Sequence, residues 1–303
     1  MRFPVARPAL SLIRAALVVA AALVLVGLGA VGLAPRAQAS VPAGTFKSVS
    51  AGGGHTCAVR TDDAVACWGN NDFGESSPPT GTFKSVTVGS TGFACALRTD
   101  DAIACWGNNE YNQTAPPAGT FKSVSSGGGH ACALRMDDAI ACWGNSEYHQ
   151  TSPPKGTFKS VSAGFVHNCA VRTDDAVACW GDNFLGGASP LAGSFKSVSA
   201  GKDYTCALRT DDAIACWGYS GNGLSPVPAG TFKSVSANAY DACALRTDDT
   251  VVCWGNNDQQ TDYGQTLVQA GSFKSVSAGQ YHTCALRTDD AIACWGRNDA
   301  GQA

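Results

Sequence analysis

The sequence lacks the linear signatures of the commoner enzyme and metal classes. It has no Cys-x-x-Cys, no Gly-x-Ser-x-Gly, no His-Glu-x-x-His and no glycine-rich phosphate loop ending in Gly-Lys-Ser/Thr. Those absences remove the usual zinc knuckle, the nucleophile-elbow hydrolase, the zinc protease and the P-loop nucleotidase. A basic excess is also missing: 21 Lys and Arg stand against 24 Asp and Glu, a net of −3, and only 15% of residues are charged. Nucleic acid and anionic membrane are poor partners for such a surface.

One long apolar stretch is present. Arg2, Arg7 and Arg14 precede an apolar run from Ala15 to Leu33, and Ala37-Gln38-Ala39 supplies a small-x-small cleavage site. This predicts a secretory signal peptide over 1–39 with a single mature domain over 40–303. An uncleaved membrane anchor is the alternative, because a run of this length also spans a bilayer. With the leader go four arginines (2, 7, 14 and 36) and no acids, which leaves 17 basic against 24 acidic residues, a net of about −7.

The mature part is a repeat array. A block of Cys, nine residues and Cys-Trp-Gly occurs seven times, beginning at Cys57, Cys95, Cys132, Cys169, Cys206, Cys243 and Cys284, and it uses all 14 cysteines and all 7 tryptophans. Within it an apolar run such as Cys-Ala-Leu-Arg meets Thr-Asp-Asp and then Ala-Ile-Ala-Cys-Trp, which reads as strand, turn, strand. A three-residue turn at Thr61-Asp62-Asp63 sets Val59 opposite Val65, Ala58 opposite Ala66 and Cys57 opposite Cys67. Cys57, Val59, Val65 and Cys67 then share one face. Asp63 falls where such a hairpin wants a left-handed residue. Opposed cysteines in an exported chain predict seven disulfides: 57–67, 95–105, 132–142, 169–179, 206–216, 243–253 and 284–294, that is Cys57, Cys67, Cys95, Cys105, Cys132, Cys142, Cys169, Cys179, Cys206, Cys216, Cys243, Cys253, Cys284 and Cys294. No metal site and no cofactor is expected.

Before each hairpin stands Phe-Lys-Ser-Val, at Phe46, Phe83, Phe121, Phe158, Phe195, Phe232 and Phe273, and after each Trp-Gly comes a polar stretch ending in proline or small residues. One repeat is therefore read as four short strands, A to D, in 37 or 38 residues, the sixth copy being longer at 41. Such repeats bury their faces by radial closure, which predicts an all-β, seven-bladed β-propeller of four-stranded antiparallel blades. A linear β-solenoid is the competing architecture. From Trp to the next Phe is 15 residues in five of six cases, and joining Trp295 to Phe46 through the two mature ends also gives 15. That match favours a closed ring whose N-terminal strand completes the last blade.

The pattern Ser-x-x-x-Gly-x-x-His, Cys-Ala-Leu-Arg-Thr-Asp-Asp, Cys-Trp-Gly-x-Asn-x-x-Gly-Gln resembles the regulator-of-chromosome-condensation repeat over essentially all of 40–303. The resemblance implies a seven-bladed propeller. The family has Asp-Gly at the hairpin turn where this chain has Asp-Asp, and it generally lacks the paired cysteines. Its founder is a nucleotide-exchange factor for a small GTPase, and a secreted bacterial relative inhibits a β-lactamase through loops on one end of the propeller. Fold alone transfers neither role.

The seven copies differ from one another mainly in the A-B and C-D loops, which lie at one end of an up-and-down blade. That end collects Phe93, Phe165, Tyr204, Tyr240 and Tyr281 from A-B loops, and Phe73, Tyr111, Tyr148, Phe184, Tyr219 and Tyr263 from C-D loops. The non-repeated charges there are acidic, ten acids against Lys155, Lys202 and Arg297. Aromatics rimmed by acids predict a face that binds a protein or cell-surface ligand; the competing reading is that these rings pack between blades. The tryptophans are expected in inter-blade packing, and the repeated Arg and Asp in pairs across blades or in turn caps. His55, His130, His167 and His282 share one A-B position, where a structural hydrogen bond competes with a metal or pH-sensing role. Asn112-Gln113-Thr114 matches a glycosylation sequon. The sequence thus points to a secreted, monomeric binding scaffold, with an inhibitor of an extracellular enzyme as second reading and a hydrolase or lyase using residues around the axis as third.

Overall fold

Cys57 and Cys67 face one another across a hairpin with Cα atoms 4.1 Å apart, joined as a disulfide. That separation is the close, non-hydrogen-bonded type of antiparallel pair, where side chains approach most nearly. The computed structural model describes residues 41–221, 224, 226–255 and 262–303. In the first repeat β1 (Phe46–Ala51), β2 (His55–Arg60) and β3 (Val65–Gly69) form an antiparallel sheet in that order. Val59 lies opposite Val65 and Ala58 opposite Ala66, the predicted register. Asp63 adopts φ 68°, as do its six equivalents within a few degrees, and the Asp62 carboxylate accepts the Ala64 amide at 3.1 Å to cap the turn.

Lys47 occupies a β-bulge, because Phe46 pairs with Arg60 while Ser48 pairs with Val59. The extra residue aims its ammonium at Asp63, 2.5 Å away. Arg60 stacks over the Phe46 ring at 5.5 Å. The repeated charges thus pair within a blade or cap its turn; the pairing across blades that the sequence suggested is not how they are used.

This unit recurs seven times, with inner strands starting at Phe46, Phe83, Phe121, Phe158, Phe195, Phe232 and Phe273, and these define blades 1 to 7. All seven expected disulfides are formed and no cysteine is free. A chain cross-linked in this way suits an oxidising compartment. The seven sheets are arranged as a seven-bladed propeller.

Among the described residues each blade has three strands, not four. The expected outer strand is replaced by a capped turn. In blade 2 the buried Gln113 accepts the Tyr111 amide at 2.8 Å through Oε1, and Asn109 accepts the Thr114 amide at 3.1 Å. Amides bonded to local side chains are not available to a ladder, and the Pro116-Pro117 pair that follows donates nothing.

Blades nest large on small. Cys57 and Val59 face the next blade's Phe83 and Trp106, while Ala58 and Trp68 on the opposite face meet Leu286 of blade 7. Backbone and side-chain bonds repeat at each seam. The Phe83 amide donates to Asp63 O at 2.9 Å, and the Trp106 indole donates to Glu75 O at 2.8 Å. Between blades 7 and 1 the same contacts recur as Phe46 to Asp290 O at 2.9 Å and Trp68 to Gln302 O at 3.1 Å. The ring is closed.

Closure does not use an N-terminal strand added to the last blade. β1 pairs with β2 in its own sheet, and Val41 before it joins the cluster of Leu286, Ile292 and Cys294 through its side chain. The leader assigned to 1–39 lies outside the described residues. The inner strands surround a central channel, where small Ser and Ala side chains let seven strands converge.

Candidate functional site

Each A-B loop starts at the rim of the channel, with glycine at 52, 89, 127, 164, 201 and 279. Space requires it: a Cβ on Gly164 would lie 2.4 Å from Gly201 O. Neighbouring loops are laced together there, for example by Phe165 N to Gly201 O at 3.0 Å. Blade 6 differs by having Asn238. Its side chain accepts the Ala239 amide at 2.7 Å and donates to Ala278 O at 2.6 Å, a side-chain bridge where other blades use backbone.

Of the eleven aromatics predicted for this end, Phe73, Tyr111, Tyr148, Phe184, Tyr219 and Tyr263 are exposed, Phe184 most of all at 88%. Phe165, Tyr240 and Tyr281 are half-buried. Phe93 and Tyr204 are not surface residues, being 0% and 1% exposed. Both occupy the first position of a middle strand, two residues before the disulfide cysteine, and point into a seam between blades. Their removal from the candidate face is a correction to the sequence reading.

That same position carries His55, His130, His167, His282 and Asp241 in the other blades, all buried. His282 Nε2 meets Thr56 Oγ1 of the next blade at 2.7 Å, His167 Nε2 meets Thr205 Oγ1 at 2.8 Å, and His130 Nε2 meets Asn168 Oδ1 at 2.7 Å. The partner in turn donates to the carbonyl that also receives the tryptophan: Thr205 Oγ1 and Trp217 Nε1 both reach Gly187 O at 2.9 Å. Where the seam residue is Phe93 or Tyr204, the next blade offers Ala131 or Ala242. At five of seven seams a polar pair is hydrogen-bonded or an aromatic meets alanine; Asp241, by contrast, has Thr283 opposite with no bond to it.

The two exceptions leave polar atoms bare. His55 faces Ala94, and its Nε2 has no partner. Asp241 is fully buried with neither carboxylate oxygen hydrogen-bonded. Burial pushes its pKa up to about 8. Burial lowers the histidines: His55 to about 3, with His282 adding repulsion, and His130, His167 and His282 to about 4. Neutral imidazoles are the working form, so a structural hydrogen bond is what three of the four histidines supply.

On the surface above blades 5 to 7 five side chains stack in a row. Tyr240 and Tyr281 lie nearly parallel, centroids 5.8 Å apart, and Tyr263 meets Tyr281 edge-on at 5.5 Å. Lys202 caps the Tyr240 ring at 5.5 Å, and Arg297 lies 5.4 Å from both Tyr263 and Tyr281. Arg297 Nε is held by Asp299 at 2.8 Å. Burial, with Tyr240 beside it, keeps the Tyr281 phenol above its ordinary range. Each blade contributes from its variable loop, so the repeat itself does not require the cluster.

Two of the three non-repeated cations sit in that row. Read from the sequence as a small remainder against ten acids, they mark one sector. Blades 1 and 3 carry Gly52-Gly53-Gly54 and Gly127-Gly128-Gly129 in the corresponding loops, so the ring has a low glycine side and a high aromatic side. Alignment of the seven copies by their distance from the cysteine is the signal that separates seam residues from surface ones.

No curated protein sequence matches the chain. Among solved structures, the ectodomain of the Physcomitrella patens receptor kinase CR4 is 27% identical with a TM-score of 0.72, covering 84% of this chain and 74% of that one. The CRINKLY WD40 ectodomain of the Arabidopsis thaliana receptor kinase ACR4 is also 27% identical, with a TM-score of 0.71 and coverage of 84% and 96%. Human WBSCR16, at 16% identity and a TM-score of 0.56 over 86% of this chain and 79% of its own, shares the fold. The model of the regulator of chromosome condensation (RCC1) repeat matches seven times, over 46–75, 83–113, 121–150, 158–186, 195–224, 232–265 and 273–302. With a match in every blade, and with the Trp, Arg and seam-residue positions in register, the chain belongs to the RCC1 repeat family.

Proposed function

We propose that this propeller is a secreted binding scaffold that recognises a protein or cell-surface ligand through the A-B/C-D end, with the row Lys202, Tyr240, Tyr281, Arg297 and Tyr263 as the centre of contact. The observation that carries this reading is the row itself. Stacked tyrosines capped by two cations, partly exposed and outside the repeat's structural needs, have the composition of binding hot spots. Export through the 1–39 leader, with cleavage near Ser40, agrees with seven formed disulfides. Resemblance to two receptor ectodomains is consistent with an extracellular setting. The working unit is a monomer, since the blades close on themselves.

An inhibitor of an extracellular enzyme is the second reading, favoured by one feature: Phe184 at 88% exposure, followed by the exposed Leu185, projects from blade 4. A rigid apolar tip of that kind suits insertion into a cleft. The axial hydrolase or lyase gains no support, because the residues lining the channel bring hydroxyls and Lys202 but neither carboxylate nor imidazole.

The test is affinity capture from the producing organism's envelope and medium with three mature proteins, the natural one, Tyr240→Ala/Tyr281→Ala, and a control altered at the opposite end, Asp62→Ala/Asp211→Ala, and with Phe184→Ala run beside them. A partner held by the first and third and lost by the second identifies the face. Equal capture by all three would remove the tyrosine row from the account, and loss with Phe184→Ala instead would move the site to blade 4.

A further inference from the structure

The central channel holds a cavity of about 190 Å³ that opens at the A-B end. Its wall is built from hydroxyls in a defined state. Ser50 Oγ accepts the amide of Val88, Ser125 that of Ala163, Ser162 that of Ala200 and Ser199 that of Ala237, at 2.9 to 3.1 Å. Ser236 and Ser277 do the same for Ala278 and Ala51. Each of these six oxygens accepts one amide from the neighbouring blade, and none donates to a protein acceptor among the described residues; all but Ser277 line the cavity. Each of these hydroxyls therefore keeps an O–H proton for whatever fills the channel.

Charge at the rim has one sign. Lys202 is the one ionisable side chain lining the cavity, and Phe165 of the preceding blade lines it alongside. Lys202 is positioned twice: its ammonium rests over Tyr240 at 5.5 Å, and its amide bonds Asn238 O at 3.2 Å. The adjacent Asp203 does not line the cavity. Burial raises its pKa while Lys202 lowers it, so part of the lysine's field is spent on that carboxylate.

We infer that the channel mouth is a binding site for a small organic anion of about monosaccharide size, whose carboxylate or phosphate oxygens accept from the serine ring and whose charge is met by Lys202. Unspent O–H donors suit ligands rich in acceptors, and one cation within a protein of acidic net charge favours a negative one. The volume lies below the roughly 300 to 1,000 Å³ of drug-sized pockets, which limits the ligand to about one sugar ring. Phe165 offers an apolar surface to the face of such a ring. This site shares Lys202 with the tyrosine row, and titration with small anions tests it apart from any protein partner of that row.

The experiment is a calorimetric or NMR titration of the intact mature protein with glucuronate, inorganic phosphate and glucose at fixed ionic strength. Saturable binding of glucuronate or phosphate is expected, with glucose at least about tenfold weaker. Lys202→Gln lowers the anion affinity about tenfold or more, a loss typical of one charge-assisted contact. Lys155→Gln leaves it unchanged. Because Ser162→Ala also deletes an inter-blade bond, Lys202→Gln on the surface is the decisive variant, with its melting temperature matched to the natural protein. Absence of saturable anion binding, equal affinity for glucose and glucuronate, or indifference to Lys202→Gln would each overturn the assignment and leave a water-filled channel.

Discussion

Trp68 donates its indole N–H to the carbonyl of Gln302, 3.1 Å away and 234 residues later in the chain. Thr56 Oγ1 reaches the same carbonyl at 2.9 Å, so two groups of blade 1 grip the turn that follows blade 7. The same grip operates within the chain: Trp143 on Gln113, Trp180 on Gln150 and Trp295 on Gln265, at 2.7 to 2.9 Å. Trp254 is different, its N–H having no partner among the described residues. Replacement by Phe removes the donor in every case, together with a similar share of apolar contact. We expect Trp68→Phe to destabilise by about 1 kcal/mol more than Trp254→Phe, the net worth of one buried hydrogen bond. Urea unfolding of the two variants measures the difference; equal losses would deny the closing bond any special role.

Ala94→Thr should stabilise the protein. His55 Nε2 is buried without a partner, whereas His282 and His167 bond Thr56 and Thr205 at the equivalent place. A threonine at 94 would accept from His55 and donate to Glu75 O, the carbonyl that already receives Trp106. A gain of about 1 kcal/mol is expected from the new bond. A fall in melting temperature would mean that the seam between blades 1 and 2 has no room for the hydroxyl.

Stability should peak near pH 7. The four seam histidines have native pKa values of about 3 to 4 against 6.5 when free. The unfolded chain takes up those protons first, so stability falls as pH drops from about 6.5 toward 4. Asp241 acts in the opposite sense, its native pKa of about 8 lying above the free value of 3.8. The native state keeps that proton longer, so stability falls as pH rises from about 4 to 8. Below about pH 7 the four histidines outweigh the one carboxyl, and above it Asp241 dominates the slope. Thermal melts from pH 4 to 9 should show this maximum, and Asp241→Asn should flatten the alkaline side. An alkaline slope unchanged in that variant would place its origin elsewhere.

Reduction should unfold the ring in steps of accessible size. Each disulfide closes a loop with sequence separation 10, worth about 3 kcal/mol in the chain-entropy model. Intact mass before and after full reduction should differ by 14 hydrogens, two for each of seven bonds. Replacing the Cys132 and Cys142 pair by Ala should lower stability by roughly that single increment while leaving the other six bonds intact. Free thiols in the untreated protein would contradict the pairing.

The hairpin register, the left-handed aspartate, the cystine pairs, the role of tryptophan and the closed ring were all legible in the residues. Each is local or periodic, and a sevenfold copy makes a local rule visible. What was not legible depended on direction. The stretch after Trp-Gly has the length and prolines of an edge strand, and only its Asn and Gln bonds to local amides, as at Gln113 and Asn109, turn it into a capped loop. Phe93 and Tyr204 sit in loops that look variable, yet their side chains turn into a seam. The tyrosine row was half visible: its members were named, but nothing in linear order places Lys202 and Arg297, 95 positions apart in the sequence, at two ends of one stack.

Blade 6 concentrates the departures from the pattern. Among the described residues its tryptophan lacks an acceptor and its seam carboxyl a donor, and Asn238 bridges to blade 7 through an amide side chain where the other rims carry glycine. In a ring of otherwise equal units, fluctuations collect where the bonding is thinnest. Amide hydrogens of Asp241–Arg246 are therefore expected to exchange with solvent before those of His167–Arg172, although the two strands share length, burial pattern and cystine. The opening of the molecule in time starts at blade 6, one blade removed from the junction of its two chain ends, and the tyrosine row stands directly on that most yielding sector.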